Sequence, residues 1–212
     1  TSLELYPDVT KVKEKEFKAT FEIKAKALYE KLSVAFDMMG EILTESKLED
    51  EKRLLEILQM LKSRLLMRFQ SAGHTTAVLR SLAYTSPSAR LKDLTSGIEF
   101  YRVVARITEH FEEEKEDLIR KLKSLAVRLF RAEGMMISYT ASRDGLDGLE
   151  DFVDSMKRRL FTDSVEEAVC ILHCEKKNEG FKTASKVQYV ARSGNFIDGG
   201  AQYSGALQIL KV

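Results

Sequence analysis

Apolar positions repeat every second residue at the start of this chain and every three to four residues over most of the remainder. Leu3-Glu4-Leu5 alternates, and Phe17, Ala19, Phe21, Ile23 and Ala25 alternate against Lys18, Thr20, Glu22, Lys24 and Lys26. That period predicts half-buried strands with one solvated face. Pro7-Asp8 and the charged Lys11–Glu16 segment predict the turn between two antiparallel strands. The period then lengthens. Leu28, Leu32, Phe36, Met39 and Leu43 define a helix stripe, and Ser46-x-x-Glu49 reads as a capping box for a second helix. That helix carries Leu54, Leu58, Leu61, Leu65 and Phe69 inward.

Ser71–Arg106 is the stretch around which the rest is organised, and it reads as a helix–turn–helix corner. Gly73 predicts a positive φ that stops the preceding helix, with Thr75 or Thr76 capping the next. The apolar positions of that helix are Ala77, Val78, Leu82 and Tyr84. Thr85-Ser86-Pro87-Ser88 breaks it, because proline biases Ser86 away from the helical region. A third helix is predicted with Leu91, Leu94, Ile98, Tyr101 and Val104 or Ala105 on one face. The acidic run Glu109–Asp117 suits a first helical turn, and Leu118, Leu122, Leu125 and Leu129 form the stripe behind it. Gly134 ends that helix, Met135–Ala141 reads as a strand, and Asp144-Gly145 and Asp147-Gly148 are turns. Leu149, Phe152, Val153, Met156 and Leu160 make a last helix.

Strands far apart in sequence with helices between them predict an α+β fold, an antiparallel sheet layered against several helices. Residues 1–161 are expected to be one domain, residues 162–178 a linker with an apolar patch at Ala168–Leu172, and residues 179–212 a strand–helix stub. The stub has a strand at Lys186–Ala191 and a helix start at Tyr203. About 35 residues cannot bury their own core, so the stub is expected to dock on the rest or pair with another copy. Phe21, Leu58, Leu65, Leu94, Leu125 and Ile137 are the expected core.

Charge narrows the functional classes. Thirty-four basic and 33 acidic residues give a formal net charge of +1, which leaves no electrostatic footprint for nucleic acid or an anionic membrane. No apolar run reaches the roughly 18 residues of a membrane span. Cys170 and Cys174 provide no disulfide framework, which suits a reducing, cytoplasmic compartment. The chain opens Thr1-Ser2-Leu3 already in a strand pattern and stops at Val212 within an apolar-periodic run, so it is expected to be a fragment of a longer protein.

Few residues offer chemistry. Cys170, His173 and Cys174 place three soft or borderline ligands close together, but structural zinc needs four and no second pair exists. The plainer reading is a linker strand with small half-buried side chains. Gly194–Gly200 has the glycines of a phosphate loop without its Lys-Ser/Thr, and reads as a strand-to-helix connection. His74 reads as a helix-start histidine bonded to a nearby carbonyl, or as an interface contact.

Ser71-x-Gly73-His74, the run up to Tyr84-x-Ser86-Pro87, and L-x-x-L-x-S-G-I at Leu91–Ile98 resemble the insulinase/pitrilysin-like zinc metallopeptidases, in the presequence-protease-like branch. A second block is similar to the entry into that family's last domain: Ser185–Ala191 to Gly194-Asn195, then Tyr203-Ser204-Gly205-Ala206-Leu207. The resemblance implies four related domains, each stacking helices on a mostly antiparallel sheet, in two halves that close around a chamber. This chain would hold the third-domain region and the start of the fourth. The family's signature is His-x-x-Glu-His, two zinc ligands and a general base. His74 continues Thr-Thr-Ala-Val and His173 continues Cys-Glu-Lys-Lys, so neither fits. His110-Phe111-Glu112-Glu113-Glu114 is the near miss, with Glu114 in place of the second histidine, inside an acidic run better read as a solvated helix. By the resemblance the motif lies upstream of Thr1, and the substrate-binding Arg and Tyr of the last domain lie beyond Val212.

No catalytic or metal-binding residue is therefore assigned here, and substrate-binding residues are unknown. No cofactor is expected in this chain, and zinc in the parent. The expected role is a non-catalytic piece of a zinc endopeptidase that degrades unstructured peptides, contributing chamber wall and closure surface. Its partners would be the remaining domains and the peptide, with a possible homodimer through residues 179–212. The alternative is a stand-alone α+β domain that binds a protein or peptide without catalysis.

Overall fold

The structure, a computed structural model, describes residues 2–13, 16–166, 171–183, 186–202 and 204–206. Two strands come first, β1 (Ser2–Lys13) and β2 (Glu16–Lys26), paired antiparallel from Ser2↔Lys26 to Lys13↔Glu16. Among the described residues seven α-helices follow: α1 (Leu32–Thr44), α2 (Glu51–Ser71), α3 (Gly73–Leu82), α4 (Pro87–Ser96), α5 (Ile98–Glu109), α6 (Phe111–Leu129) and α7 (Leu149–Arg159). The class is α+β, mostly helical, with a small antiparallel sheet. Among the described residues no helix is long and apolar enough to cross a membrane. The chain divides into two compact units, each assembled from two separated stretches. Unit 1 comprises residues 1–58 and 107–169, and unit 2 residues 59–106 and 170–212.

In unit 1 the core forms where α1 and α7 meet. Phe36, Met39 and Met156 are buried, and Ile23, Leu32, Met135, Leu149, Phe152 and Val153 pack against them. Phe36 stacks on Phe152 at 5.7 Å between ring centres. Both helices show the stripes read from the sequence. Gly148, with φ of 74°, starts α7, and three basic residues end it, matching the helix dipole. Arg159 reaches back to α1, donating to the Asp37 carbonyl at 3.2 Å and pairing with Glu45 at 2.6 Å.

Several local expectations give way. The turn is not at Pro7, which sits inside β1 opposite Phe21, a position open to proline because both strands of a two-stranded sheet are edges. Ser46 does not cap α2; its hydroxyl donates back to Ile42 O, while Asp50 Oδ1 accepts from Arg53 N at the helix start. Gly73 has no positive φ and is the first residue of α3. Thr75 and Thr76 lie inside that helix and donate to Ala72 O. The single third helix is two, α4 and α5, divided at Gly97. Among the described residues Met135–Ala141 pairs with no strand and has no regular structure, and Lys186–Ala191 likewise forms no strand. The turn residues 14–15, Cys170, Tyr203 and most of the expected C-terminal helix lie outside the described residues.

Of the six expected core residues only Leu65 is buried. Phe21, on a two-stranded ribbon, is covered on one side by Phe130 at 5.4 Å and remains 39% exposed. Leu58 is half-buried. Leu94 sits one position off the inward side of α4, which Asp93 occupies. Leu125 is 49% exposed, on a helix tied to residues 49–51 by the ion pairs Lys115–Glu51 and Lys123–Glu49. Ile137 lies on the unpaired segment. Leu65→Ala is therefore expected to lower stability by about 2–5 kcal/mol, and Leu125→Ala by less than about 1 kcal/mol, in denaturant titrations.

Candidate functional site

Unit 2 is built around charge. Ser86 caps α4, its hydroxyl accepting from Ala89 N, with Pro87 as the first helical residue. The short α4 then delivers Asp93, which is fully buried, to the point where α5 begins. Asp93 Oδ1 accepts from Ile98 N at 3.0 Å, satisfying a first-turn amide of α5 that would otherwise be orphaned. Its Oδ2 takes Arg80 Nη1 at 2.6 Å and Arg90 Nη1 at 3.4 Å. Gly97 makes this possible: a Cβ there would stand 2.3 Å from Asp93 Oδ1 and 2.8 Å from Asp93 Cα.

Arg80, 5% exposed, is the hub. Its guanidinium also forms ion pairs with Glu99 Oε1 at 2.8 Å and, through Nη2, with Glu179 Oε2 at 2.7 Å, while Nε donates to that Glu179 oxygen at 2.8 Å. Tyr84 OH donates to the same Glu179 oxygen. Phe181 lies under both Arg80 and Arg102, at 5.9 and 5.6 Å from its ring centre. Arg102 in turn pairs with Glu99 at 2.8 Å. Three guanidinium groups (Arg80, Arg90, Arg102) thus face three carboxylates (Asp93, Glu99, Glu179), and the cluster is formally neutral.

Burial opposes charge on Arg80, but hydrogen bonds to Glu179 and Asp93 outweigh it and raise the guanidinium above its ordinary value. Burial raises the Tyr84 phenol, and its bond to Glu179 adds to this. For Glu179 burial pulls upward, yet the bonds from Tyr84 and Arg80 hold the carboxyl below the usual glutamate range. Its contribution is complete above that range and is lost as pH falls through the depressed value. Acidification is expected to speed amide exchange in residues 177–183 before it affects α3 or α5.

The same C-terminal stretch touches α3 at two further places. Ser193 Oγ donates to Ser81 O at 2.6 Å. The Tyr189 ring lies over Gly73, where a Cβ would be 2.6 Å from it, and 5.9 Å from the His74 ring. This close approach, and not a turn, is what Gly73 permits.

Of the residues singled out for chemistry, Cys170 lies outside the described residues. His74 is exposed on α3, its ring tilted against that of Tyr189. His110 is exposed at the start of α6, 3.7 Å from Glu113 Oε2. His173 lies on irregular chain, and burial pushes the half-buried Cys174 thiol up, away from reactivity. Gly194–Gly200 folds onto itself, Asn195 Oδ1 accepting from Ile197 N and Asn195 O from Gly199 N. Among the described residues no three His, Cys, Asp or Glu groups are placed to hold a metal ion, and Cys170 lies outside those residues. No member of the ion cluster stands out in the sequence. Only Asp93, just ahead of Gly97-Ile98, carries a local hint of capping.

Known proteins supply the remaining finding. The family described as peptidase M-16C associated matches residues 1–107, which include the block Ser71–Ile98. Protein HypA of Clostridium perfringens (strain 13 / Type A) is 29% identical over 199 residues, 94% of this chain and 20% of that protein. Presequence protease 1, chloroplastic/mitochondrial, of Arabidopsis thaliana is 19% identical over 215 residues, 98% of this chain and 19% of that protein. The chain spans about one fifth of the length of these curated relatives. On the strength of the match over its first 107 residues, this chain belongs to the peptidase M-16C associated family.

Proposed function

We propose that this chain is a non-catalytic, architectural part of a zinc-dependent endopeptidase that degrades unstructured peptides, forming chamber wall and closure surface. The observation that carries this reading is the neutral cluster around Arg80. Every charge in it is matched by another of the chain's own, so it holds helices and the C-terminal stretch together and offers no unpaired base or nucleophile. The family and the printed name of the Arabidopsis relative support a peptidase as its setting. Zinc and the base that activates water would come from elsewhere in the parent. The other domains of that parent and its peptide substrate are the proposed partners.

Metal analysis and peptide cleavage test it directly. The purified 212-residue chain is expected to hold far less than one zinc per molecule and to leave an unstructured fluorogenic peptide intact. Stoichiometric zinc, or cleavage that a chelator stops, would overturn the reading. A second reading, a binding domain without any peptidase setting, is favoured by one observation, the open cleft of unit 1 between Met135–Tyr139 and α7.

A further inference from the structure

The two acids that grip Arg80 most closely belong to different kinds of structure. Asp93 lies on α4 with its side chain 1% exposed, whereas Glu179 lies on irregular chain with its side chain 24% exposed. Residues 179–183 are all exposed and belong to no helix or strand. Gly180 faces open space, with no atom within 4 Å of where a Cβ would stand. The residues on either side of it face the protein. Glu179 Oε2 collects Arg80 Nη2, Arg80 Nε and the Tyr84 hydroxyl, and the Phe181 ring sits beside the guanidinium groups of Arg80 and Arg102.

The surface that receives them has its own supports. Arg80 is held by Asp93 at 2.6 Å and Glu99 at 2.8 Å, and its Nε also reaches Tyr84 OH at 3.1 Å. Glu99 holds Arg102 at 2.8 Å, and Asp93 fixes the first amide of α5. Each of these contacts runs between α3, α4, α5 and the turn at Tyr84, without the C-terminal stretch. Take Glu179 away and Arg80, Arg90 and Arg102 face only Asp93 and Glu99, which leaves one positive charge in excess. A guanidinium edge beside a phenol donor, carrying that excess, is a site for a carboxylate. Two guanidinium groups a short distance away are a site for an aromatic ring.

We propose that α3, α4 and α5 form a preassembled socket for an acidic side chain followed two residues later by an aromatic one, and that Glu179-Gly180-Phe181 is its ligand in cis, able to leave while the helices stay folded. The socket recognises peptide and performs no chemistry, and it holds whether or not the parent is a peptidase.

The test uses the whole 212-residue chain. Glu179→Gln is expected to speed amide exchange at residues 180–183 by about ten-fold or more, since a charge-assisted contact is lost, and to leave α3, α4 and α5 unchanged. Phe181→Ala should act in the same direction, and Gly180→Ala should have no effect. The end-blocked peptide spanning Lys177–Thr183 is then added at millimolar concentration to the Glu179→Gln chain. It should move the side-chain Nε resonances of Arg80 and Arg102, and the same peptide carrying Gln for Glu179 should not. The unaltered chain should resist the peptide, because its own segment competes at an effective concentration on the order of millimolar or above. Three results would overturn the proposal: exchange at 180–183 that Glu179→Gln leaves unchanged, α3–α5 loosening as much as 180–183, or equal resonance shifts from the two peptides.

Discussion

Arg80→Met is expected to lower the stability of unit 2 by about 3–5 kcal/mol, the cost of leaving a buried charge without its partner. Asp93 is fully buried, and after the substitution only Arg90, 3.4 Å away, would still face it. Glu179 and Tyr84 would lose the group that gathers them. Because two units share the chain, the loss is best read as faster amide exchange in α3, α4 and α5, alongside a denaturant midpoint. A second substitution sharpens the result. Arg80→Met with Asp93→Leu removes both buried charges and should recover part of the loss, though not the cap on Ile98 N. A loss below about 1 kcal/mol for Arg80→Met would mean that the cluster is exchanged for water at little cost.

Gly97→Ala should be nearly as damaging, although it adds one methyl group. The new Cβ would meet Asp93 Oδ1 at 2.3 Å and, less forgivingly, Asp93 Cα at 2.8 Å and its carbonyl oxygen at 3.0 Å. Backbone cannot swing aside as a side chain can, so α4 and α5 must separate. Overpacking of this kind costs about 1–3 kcal/mol, and loss of the Asp93 cap on α5 about 1 kcal/mol more. By contrast Gly73→Ala meets only the Tyr189 ring, which is 42% exposed and free to turn away. Its expected signature is faster exchange in residues 186–193 with α3 itself unharmed. Crystallography or amide exchange on the two variants distinguishes the backbone clash from the side-chain one.

The parts legible in the sequence are those decided within a few residues or one helical repeat. Phe36, Met39 and Met156 fall on 3.6-residue stripes and meet as the pattern requires. Ser86-Pro87 stops one helix and starts another through chemistry contained in four residues. Where two local signals compete, the pattern cannot choose: Ser46 and Asp50 both suit a cap, and Asp50 takes it while Ser46 closes α1. The apolar stripe runs unbroken across Gly97, so the division into α4 and α5 is invisible without the buried carboxylate that fills the corner. Asp93, not Leu94, faces inward for the same reason; an ion pair with Arg80 outranks one leucine's burial. The Arg80 cluster carries no signature because its members lie on four separate stretches. Met135–Ala141 has a β-prone composition, but a strand is a relation between two segments, and among the described residues none pairs with it.

That Arg80 and Glu179 stand 99 residues apart has a consequence for the chain while it is being made. Translation adds roughly 5–20 residues per second, so about 5–20 s separate the appearance of the arginine from that of its last acid. Helices such as α3 and α4 form in about a microsecond. For nearly the whole interval the nascent corner therefore carries three guanidinium groups against two carboxylates, one positive charge in excess at a site that folding will later seal. Ser193, which bonds Ser81, arrives later still. The rate at which unit 2 closes on the ribosome is thus set by the delivery of its tail and not by the formation of its helices.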